Sequence, residues 1–194
     1  MRKLENKIAV ITGASRGIGK AIALELGKRG VTVIGTATSE AGATQISAYL
    51  QEAGIKGRGL VLDAGSAASV EAFAKLVQDQ FGTVEILVNN AGANWGAPLK
   101  EYPDAGFAKV MDTNLNAVFA LTRDLVPALA RAATTDSPSR IVNIGSMDGI
   151  HVPIVQRVPT FAYSASKAAL HHLTKALAVE LGAQHITANA IAPG

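Results

Sequence analysis

The sequence predicts an α/β fold in which a doubly wound parallel sheet carries helices on both faces. Short apolar runs rich in β-branched residues alternate along the chain with stretches of helical periodicity. Two of these runs, Ile8–Ile11 and Ile86–Val88, are continuously apolar, as strands buried on both faces should be. Regular alternation of this kind requires right-handed crossovers between parallel strands.

Each element also has local support. Gly30 stands where a helix C-cap glycine belongs, and Ser66 can cap a helix. The predicted strands are Lys7–Thr12, Thr32–Gly35, Gly57–Leu62, Glu85–Asn89, Arg140–Ile144 and Ile186–Ile191. The predicted helices are Lys20–Arg29, Ser39–Ala53, Ser66–Phe81, Asn114–Ala132 and Tyr163–Leu181. Their order predicts a Rossmann-like sheet with strand order 3-2-1-4-5-6 in one dinucleotide-binding domain, residues 1–194.

Composition narrows the classes of function. With no cysteine, the chain has no disulfide, thiolate metal site or cysteine nucleophile, and its four histidines lack metal-ligand spacing, so no metal is expected. A net charge of +3 from scattered basic residues gives little support to nucleic-acid binding. No apolar stretch approaches the roughly 18–20 residues of a spanning helix, and no signal region precedes the first strand. We therefore expect no membrane partner and a cytoplasmic location.

Glycines follow the first strand in the spacing G-x-x-x-G-x-G, at Gly13, Gly17 and Gly19. A strand that turns sharply into a helix directs the unpaired N–H groups of that helix at whatever lies above the turn. Glycines there let a phosphate approach the backbone. This stretch predicts a dinucleotide site, and the alternative is an ordinary glycine-rich turn.

The residues after the other strands indicate which dinucleotide binds. The second strand is followed by Ala37 and Thr38 where an NAD site usually has an acid, and Arg16 is available from the first turn. Hydroxyls and a guanidinium can bind a 2′-phosphate, which favours NADP(H). Alternatively, Thr36 and Thr38 satisfy the local backbone.

Asp63 can bind the adenine amine or brace its own loop. The small residues of Asn89–Gly92 allow close approach of a cofactor, while the asparagines can tie strands together.

Tyr163 and Lys167 are four residues apart on the predicted last helix and share one face. A phenol with a pKa of about 10 holds its proton too tightly for exchange near neutral pH, and a nearby ammonium favours the phenolate. Such pairs also occur in helices without any catalytic role.

Taken together, these residues resemble the short-chain dehydrogenase/reductase family over essentially the whole chain. The matching segments are Thr12–Gly19, Asp63, Asn89–Gly92, Asn114, Ser146, Tyr163–Lys167 and Pro193–Gly194. Within the family, the N-terminal half is similar to β-ketoacyl-[acyl carrier protein] reductases, notably at Gly35–Glu40. The part from Ser166 onward is similar to ketoacyl reductases associated with rhamnolipid synthesis.

The resemblance implies a role for each matching residue. Tyr163 would be the general acid, with Lys167 lowering its pKa and binding the nicotinamide ribose. Ser146 would polarise the substrate carbonyl, and Asn114 would hold a water that links Lys167 to solvent. The implied cofactor-binding residues are Gly13, Ser15, Arg16, Gly17, Ile18, Gly19, Thr38, Asp63, Ala64, Asn90, Ala91, Gly92, Tyr163, Lys167, Pro193 and Gly194.

Three departures from the family pattern bear on the substrate. Family members continue beyond Gly194 into a lid loop, a helix and a last strand, so the predicted sheet lacks that strand. Either the chain is a fragment or a mobile tail follows, and the mobile tail is favoured because an open lid is commonly disordered. The segment Met147–Ala162 is longer than in the carrier-protein reductases, and its apolar residues would suit a substrate wall or pack on the core. Ala178–Glu180 stands where a basic residue is expected, which leaves Arg131 and Arg140 as candidates to meet an acidic carrier protein.

The resulting hypothesis is an NADPH-dependent carbonyl reductase acting on a 3-ketoacyl thioester, with acyl carrier protein as a candidate partner. The alternatives are a sugar, polyol or other secondary-alcohol dehydrogenase, or a regulator that senses nicotinamide redox state without turnover. The family also implies a homotetramer built through the helices Asn114–Ala132 and Tyr163–Leu181. Ala117, Ala120 and Ala128 would permit close packing there, or could equally face the sheet.

Overall fold

The computed structural model describes residues 4–154, 157 and 159–194. Within these described residues, six strands form one sheet, and every paired strand runs parallel to its neighbour. The strands are β1 Ile8–Ile11, β2 Thr32–Ala37, β3 Gly57–Val61, β4 Ile86–Asn89, β5 Ser139–Ile144 and β6 Ile186–Ile191. The α-helices are α1 Gly17–Lys28, α2 Glu40–Glu52, α3 Ala67–Phe81, α4 Asp104–Met111, α5 Ala117–Ala132 and α6 Phe161–Leu181. The strand order β3-β2-β1-β4-β5-β6 confirms the predicted Rossmann-like topology.

The central strands are buried on both faces, as their continuous apolar sequence predicts. On β1, Val10 belongs to one core cluster with residues of α3 and α5, while Ala9 and Ile11 belong to a second cluster with residues of α1 and α2. All three residues are fully buried. Because the strands are parallel and in register, their carboxyl ends meet at one edge of the sheet, where ligands bind in such folds.

Local signals for the helix ends are confirmed. Ser66 Oγ accepts a hydrogen bond from Ser69 N at 3.3 Å and caps α3. Ser39 Oγ caps α2 by accepting from Gly42 N at 3.2 Å. Gly30 follows α1 with a φ of +87°, a conformation that favours glycine.

The largest departure from the predicted elements lies between β4 and α5. Helix α4 was not predicted, and it is joined to α5 by a π-helical turn, Asp112–Asn116, in place of a helix that starts at Asn114. The eight residues of α4 are ordered by tertiary contacts, because its Gly106 is covered by the ring of Trp95. A segment so short has little helical stability of its own in water.

The described part of the chain contains neither a membrane-spanning helix nor a metal-binding cluster. None of its helices combines the length and hydropathy needed to cross a membrane. It also contains no group of three His, Asp or Glu side chains placed to hold a metal ion.

Candidate active site

The turn after β1 presents backbone to the crevice above the sheet. Gly13 and Gly17 have φ angles of +67° and +56°, a region that L side chains rarely adopt. A Cβ on Gly19 would collide with Gly13 O and with the side chain of Asn90. At the N-terminus of α1, no side chain makes a capping hydrogen bond. The first N–H groups of α1 and the positive end of its dipole are therefore available to an anion.

Hydrogen bonds between this turn and the segment after β4 hold the turn in place. Thr12 Oγ1 accepts hydrogen bonds from the N–H groups of Asn90 and Ala91, both at 2.9 Å. Asn90 Nδ2 donates to Thr12 O at 2.9 Å and to Gly13 O at 3.1 Å. Asn89 instead ties β4 to β5 by donating to Asn143 Oδ1 at 2.8 Å. Both asparagines therefore join neighbouring segments, which was one of their two predicted uses.

Two further supports of the turn come from β2 and α2. Thr36 Oγ1 accepts from Gly13 N at 3.3 Å, as the local-backbone alternative predicted. Tyr49, which sequence reasoning missed, donates its hydroxyl to Ala14 O at 2.9 Å. Burial raises the pKa of Tyr49 to about 12, so this donor keeps its proton. In the sequence, a tyrosine on the inner face of a helix cannot be told from an ordinary core residue.

A crevice of about 880 Å³ runs along the carboxyl edge from this turn to the loop after β4. The predicted cofactor residues that line it are Gly13, Ser15, Arg16, Gly17, Ile18, Thr38, Asp63, Ala64, Asn90, Ala91 and Gly92. Lys109 and Thr113 line it as well, and sequence reasoning missed both because α4 and the π turn were not predicted. Asp63 Oδ1 accepts from Gly65 N at 2.9 Å, so Asp63 braces its loop, and its contact with adenine stays a prediction.

A second cavity of about 240 Å³ adjoins the crevice, and Ile18, Asn90, Gly92 and Ala93 line both. Ser146, Tyr163, Lys167 and Pro193 line this second cavity. Ser146 comes shortly after β5, and Tyr163 and Lys167 occupy the first turns of α6. The fold thus brings three of the four predicted catalytic side chains to one place beside the crevice.

Lys167 is 4% exposed. Its Nζ donates to Ile144 O at 2.6 Å and lies 5.6 Å from the centre of the Tyr163 ring. Burial lowers the pKa of Lys167 to about 8, because removing an ammonium from water disfavours its charged form. A lysine with that pKa can exchange a proton near neutral pH.

Ser146 is oriented by the short 3₁₀ turn Met147–Gly149 that follows it. Ser146 Oγ accepts a hydrogen bond from Asp148 N at 3.2 Å. An oxygen engaged in this way still has its own hydrogen to donate to an acceptor in the cavity. The chain end closes the same side, since Met147 N donates to Pro193 O at 3.1 Å. A Cβ on Gly194 would lie 3.3 Å from Met147 Cγ.

Asn114, the fourth predicted catalytic residue, lies behind the cavity and does not line it. Its side chain is fully buried in the π turn. Asn114 Oδ1 accepts from Ala93 N at 2.8 Å, while Nδ2 donates to Ala93 O and to Ser166 Oγ, both at 3.0 Å. Gly19 and Gly194, two predicted cofactor residues, likewise line neither cavity.

The arginines expected near the entrance lie elsewhere, so that expectation is wrong. Arg131, in the last turn of α5, donates to Gly82 O at the end of α3. Arg140 is the second residue of β5 and therefore lies at the amino edge of the sheet. An α5 that leads back into β5 must carry both residues away from the carboxyl edge.

The family model described as short chain dehydrogenase matches residues 7–194. A 3-oxoacyl-[acyl-carrier-protein] reductase, FabG of Pseudomonas aeruginosa, is 44% identical over 191 residues, which cover 98% of this chain and 74% of that protein. The rhamnolipids biosynthesis 3-oxoacyl-[acyl-carrier-protein] reductase of the same species is 41% identical over 195 residues, with 98% and 73% covered. This chain thus spans about three quarters of the length of these relatives.

Solved structures agree with the sequence relatives. The Pseudomonas aeruginosa RhlG/NADP active-site complex superposes with a TM-score of 0.93 at 40% identity, covering 99% of this chain and 73% of that one. A metagenomic short-chain oxidoreductase in complex with NADP gives a TM-score of 0.89 at 34% identity, covering 99% and 84%. With this match in fold and sequence, the chain belongs to the short-chain dehydrogenase family of oxidoreductases.

Proposed function

We propose that this chain is an NADPH-dependent carbonyl reductase that reduces the ketone of a 3-ketoacyl thioester. The observation that carries the proposal is the cavity in which Ser146, Tyr163 and Lys167 meet, open to the crevice along the glycine turn. The names of the relatives, which are 3-oxoacyl-[acyl-carrier-protein] reductases, support this choice of substrate class.

The residues of the crevice fit a dinucleotide. The N-terminus of α1 can accept a pyrophosphate, and the glycines of the turn leave room for its approach. Arg16 and Thr38 both line the crevice, and the two residues directly after β2, Thr38 and Ser39, carry no negative charge that would repel a 2′-phosphate. The two similar structures in complex with NADP support the same cofactor here. When bound, NADPH would supply the hydride.

The side chains of the chain would supply position and the proton. Ser146 donates its hydroxyl hydrogen to the substrate carbonyl oxygen and polarises the bond. Tyr163 gives its phenolic proton to that oxygen as hydride reaches the carbon, so the ketone becomes a secondary alcohol. Lys167, with its pKa lowered to about 8, stabilises the phenolate and returns a proton to it. Asn114 positions the loop after β4 and helix α6 through its hydrogen bonds to Ala93 and to Ser166.

Apolar side chains in the segment that follows Ser146 support an acyl substrate. Met147, Ile150, Val152 and Ile154 follow Ser146 and are between 40% and 87% exposed. Several exposed apolar side chains within one short segment are typical of ligand-binding surfaces. Val155, Gln156 and Val158 of the same segment, Met147–Ala162, lie outside the described residues.

The decisive experiment compares Tyr163→Phe with the wild-type chain. Tyr163→Phe removes the proton donor, so the NADPH-dependent reduction of acetoacetyl-coenzyme A should fall by about 10²- to 10⁴-fold while NADPH binding is kept. The control is Tyr102→Phe, which removes a hydroxyl that donates to Trp95 O on the protein surface. NADPH binding without turnover in the wild-type chain would instead indicate a redox sensor.

A substrate comparison separates the two enzymatic candidates. A 3-ketoacyl thioester should give a higher kcat/KM than small ketones, sugars or polyols, because the exposed apolar side chains after Ser146 add binding to the acyl chain. A preference for a small polar alcohol or ketone would replace the proposal with a general secondary-alcohol dehydrogenase. Turnover of the thioester on acyl carrier protein and on coenzyme A would show whether the carrier protein is a partner.

We also propose a homotetramer, through exposed apolar residues on α5 and α6. Ala117 and Ala128 are buried against the core, as their alternative interpretation predicted, and are not available to a partner. Phe119 and Val179 remain 47% and 85% exposed. Sedimentation equilibrium of the wild-type chain should give four subunits, and Phe119→Ser should lower that number.

A further inference from the structure

Ser166 is a buried polar residue for which the proposed chemistry has no role. Its side chain is fully buried on α6, directly before Lys167. Ser166 Oγ donates to Tyr163 O at 2.7 Å and accepts from Asn114 Nδ2 at 3.0 Å. Both hydrogen bonds end on residues to which a catalytic role is assigned. We propose that Ser166 is a positioning residue, which couples Asn114 to the turn of α6 that carries Tyr163 and Lys167.

The hydrogen bonds of Ser166 have a defined direction. The hydroxyl hydrogen of Ser166 is committed to Tyr163 O, so only lone pairs of its oxygen face Asn114. That arrangement requires a donor at Asn114 and thereby sets the orientation of the amide. With Nδ2 turned to Ser166, Oδ1 must point to Ala93 N, where it accepts at 2.8 Å. The hydroxyl of Ser166 and the backbone of Ala93 therefore favour the same orientation of the Asn114 amide.

The oriented amide of Asn114 joins the loop after β4 to helix α6. Asn114 binds both the N–H and the C=O of Ala93, which lines the crevice and the cavity. A Cβ on the neighbouring Gly92 would lie 3.4 Å from Asn114 Oδ1 and 3.9 Å from Lys167 Nζ. The loop after β4 and the first turns of α6 are thus joined through Ser166 and Asn114, next to the ammonium of Lys167.

Asn114 lies in the π turn Asp112–Asn116. A π turn inserts one extra residue into a helix and redirects a side chain, and such turns are frequent at functional sites. Asn114 is directed into the protein, where an unpaired amide would be costly. Ser166 provides one of the partners that make this placement stable. This inference rests on the proposed function, because it assigns Ser166 to the positioning of the proton donor.

The chain contains a matched control two residues away. Ser164 Oγ is also buried on the same turn of α6, but it has no hydrogen-bond partner. Ser164→Ala and Ser166→Ala therefore remove the same atom from neighbouring buried sites. The two changes differ in whether a connection to Asn114 is lost.

The test measures kcat and KM for NADPH and acetoacetyl-coenzyme A in the full chain. Ser166→Ala should lower kcat by about tenfold or more with KM for NADPH within about twofold, since a small displacement of a proton donor slows the reaction strongly. Ser164→Ala should stay within about twofold of the wild type in both parameters. In an Asn114→Ala background, adding Ser166→Ala should change kcat by less than about twofold, because the connection is already broken.

Several outcomes would overturn the proposal. A kcat for Ser166→Ala within about twofold of the wild type, or a full further loss in the Asn114→Ala background, means that Ser166 has a structural role alone. If Ser166→Ala does not fold, Ser166→Cys keeps the volume with a weak donor, and wild-type kcat in that variant also overturns the proposal. Absence of thioester turnover in the wild-type chain would contradict the proposed function itself and is separate from these results.

Discussion

The two halves of the sheet contribute different chemical groups to the site, mainly backbone in the first half and polar side chains in the second. In the described residues before β4, the buried side chains with a polar group are those of Thr12, Thr36 and Tyr49, and the crevice is shaped by glycines and backbone N–H groups. From β4 onward, a longer series of polar side chains is buried: Asn89, Asn114, Thr122, Ser139, Asn143, Thr160, Ser166, Lys167 and Thr174. The shape of the crevice in the first half therefore depends on glycines that lack a side chain. The site in the second half depends on hydrogen bonds between buried polar side chains.

A connected network of hydrogen bonds joins four of the buried polar side chains of the second half. Asn89 Nδ2 donates to Thr122 Oγ1 at 3.3 Å and to Asn143 Oδ1 at 2.8 Å. Asn143 Nδ2 then donates to Thr174 Oγ1 at 2.9 Å, which joins β4, β5, α5 and α6. Phosphate binding needs N–H groups that any backbone offers, whereas proton transfer needs particular side-chain atoms, and burying them requires partners. This difference in chemistry explains the difference between the halves.

Gly19→Ala tests the first half and should have the largest effect. Its Cβ would collide with Gly13 O and Asn90 Nδ2, so the turn must move. Affinity for NADPH should fall by roughly 100-fold, about 2.7 kcal/mol, with a loss of stability of about 1–3 kcal/mol from overpacking. Isothermal titration calorimetry and urea unfolding check these values. The control is Gly182→Ala, where a Cβ meets no other atom within 4 Å; similar behaviour of both variants would contradict the steric argument.

Asn143→Leu tests the network of the second half. It removes one of the two acceptors of Asn89 Nδ2 and leaves Thr174 Oγ1 without its donor, so the free energy of unfolding should fall by about 2–3 kcal/mol. Thr36→Val, which removes one backbone partner in the first half, should cost about 1 kcal/mol. Urea denaturation measures both. Equal losses in the two variants would remove the distinction between the halves.

Lys167→Met should stabilise the protein while abolishing the proposed proton relay. The pKa of Lys167 falls from 10.5 to about 8 on folding. Below pH 8 the charged lysine bears the full cost of burial, and that cost disappears as the pH rises toward 10.5. The free energy of unfolding near neutral pH should therefore rise by up to about 3 kcal/mol, less about 1 kcal/mol for the lost hydrogen bond to Ile144 O.

The measurement is urea denaturation of Lys167→Met and of the wild-type chain between about pH 7 and about pH 10. The gain in stability should shrink with rising pH. Lys175→Met, an exposed lysine on the same helix, serves as the control and should show no such trend. A gain that grows with pH would mean that burial does not lower the pKa of Lys167.

Arg16→Ala is expected to have the smallest effect, and it acts on cofactor choice. Loss of the guanidinium should raise KM for NADPH by about tenfold and leave KM for NADH nearly unchanged, because the 2′-phosphate alone is affected. Thr38→Asp should shift the preference further toward NADH by repelling that phosphate. Lys28→Ala removes a charge at the far end of α1 and is the control. Equal changes for both cofactors would contradict the assignment of Arg16.

The elements that were predicted correctly have signals within a few residues. Strand β1 is apolar on both faces, Ser66 precedes α3, and Gly30 follows α1. Helix α4 and the π turn were missed because their order comes from distant partners, namely the Trp95 ring on Gly106 and the backbone of Ala93 on Asn114. The interpretation of Arg140 failed for a related reason. The location of Arg140 depends on the edge of the sheet at which β5 begins, and an arginine side chain gives no information about that edge.

The sequence by itself determined the topology, the glycine turn and the identity of the side chains that follow the strands, because hydrophobic periodicity and glycine spacing are local properties. The tertiary structure alone decided that Asn114 faces Ala93 and Ser166, that Tyr49 supports the turn, and that Lys167 is buried enough to lower its pKa. Hydrogen-bond partners and desolvation depend on atoms far apart in the chain. They exist once packing has brought those atoms together.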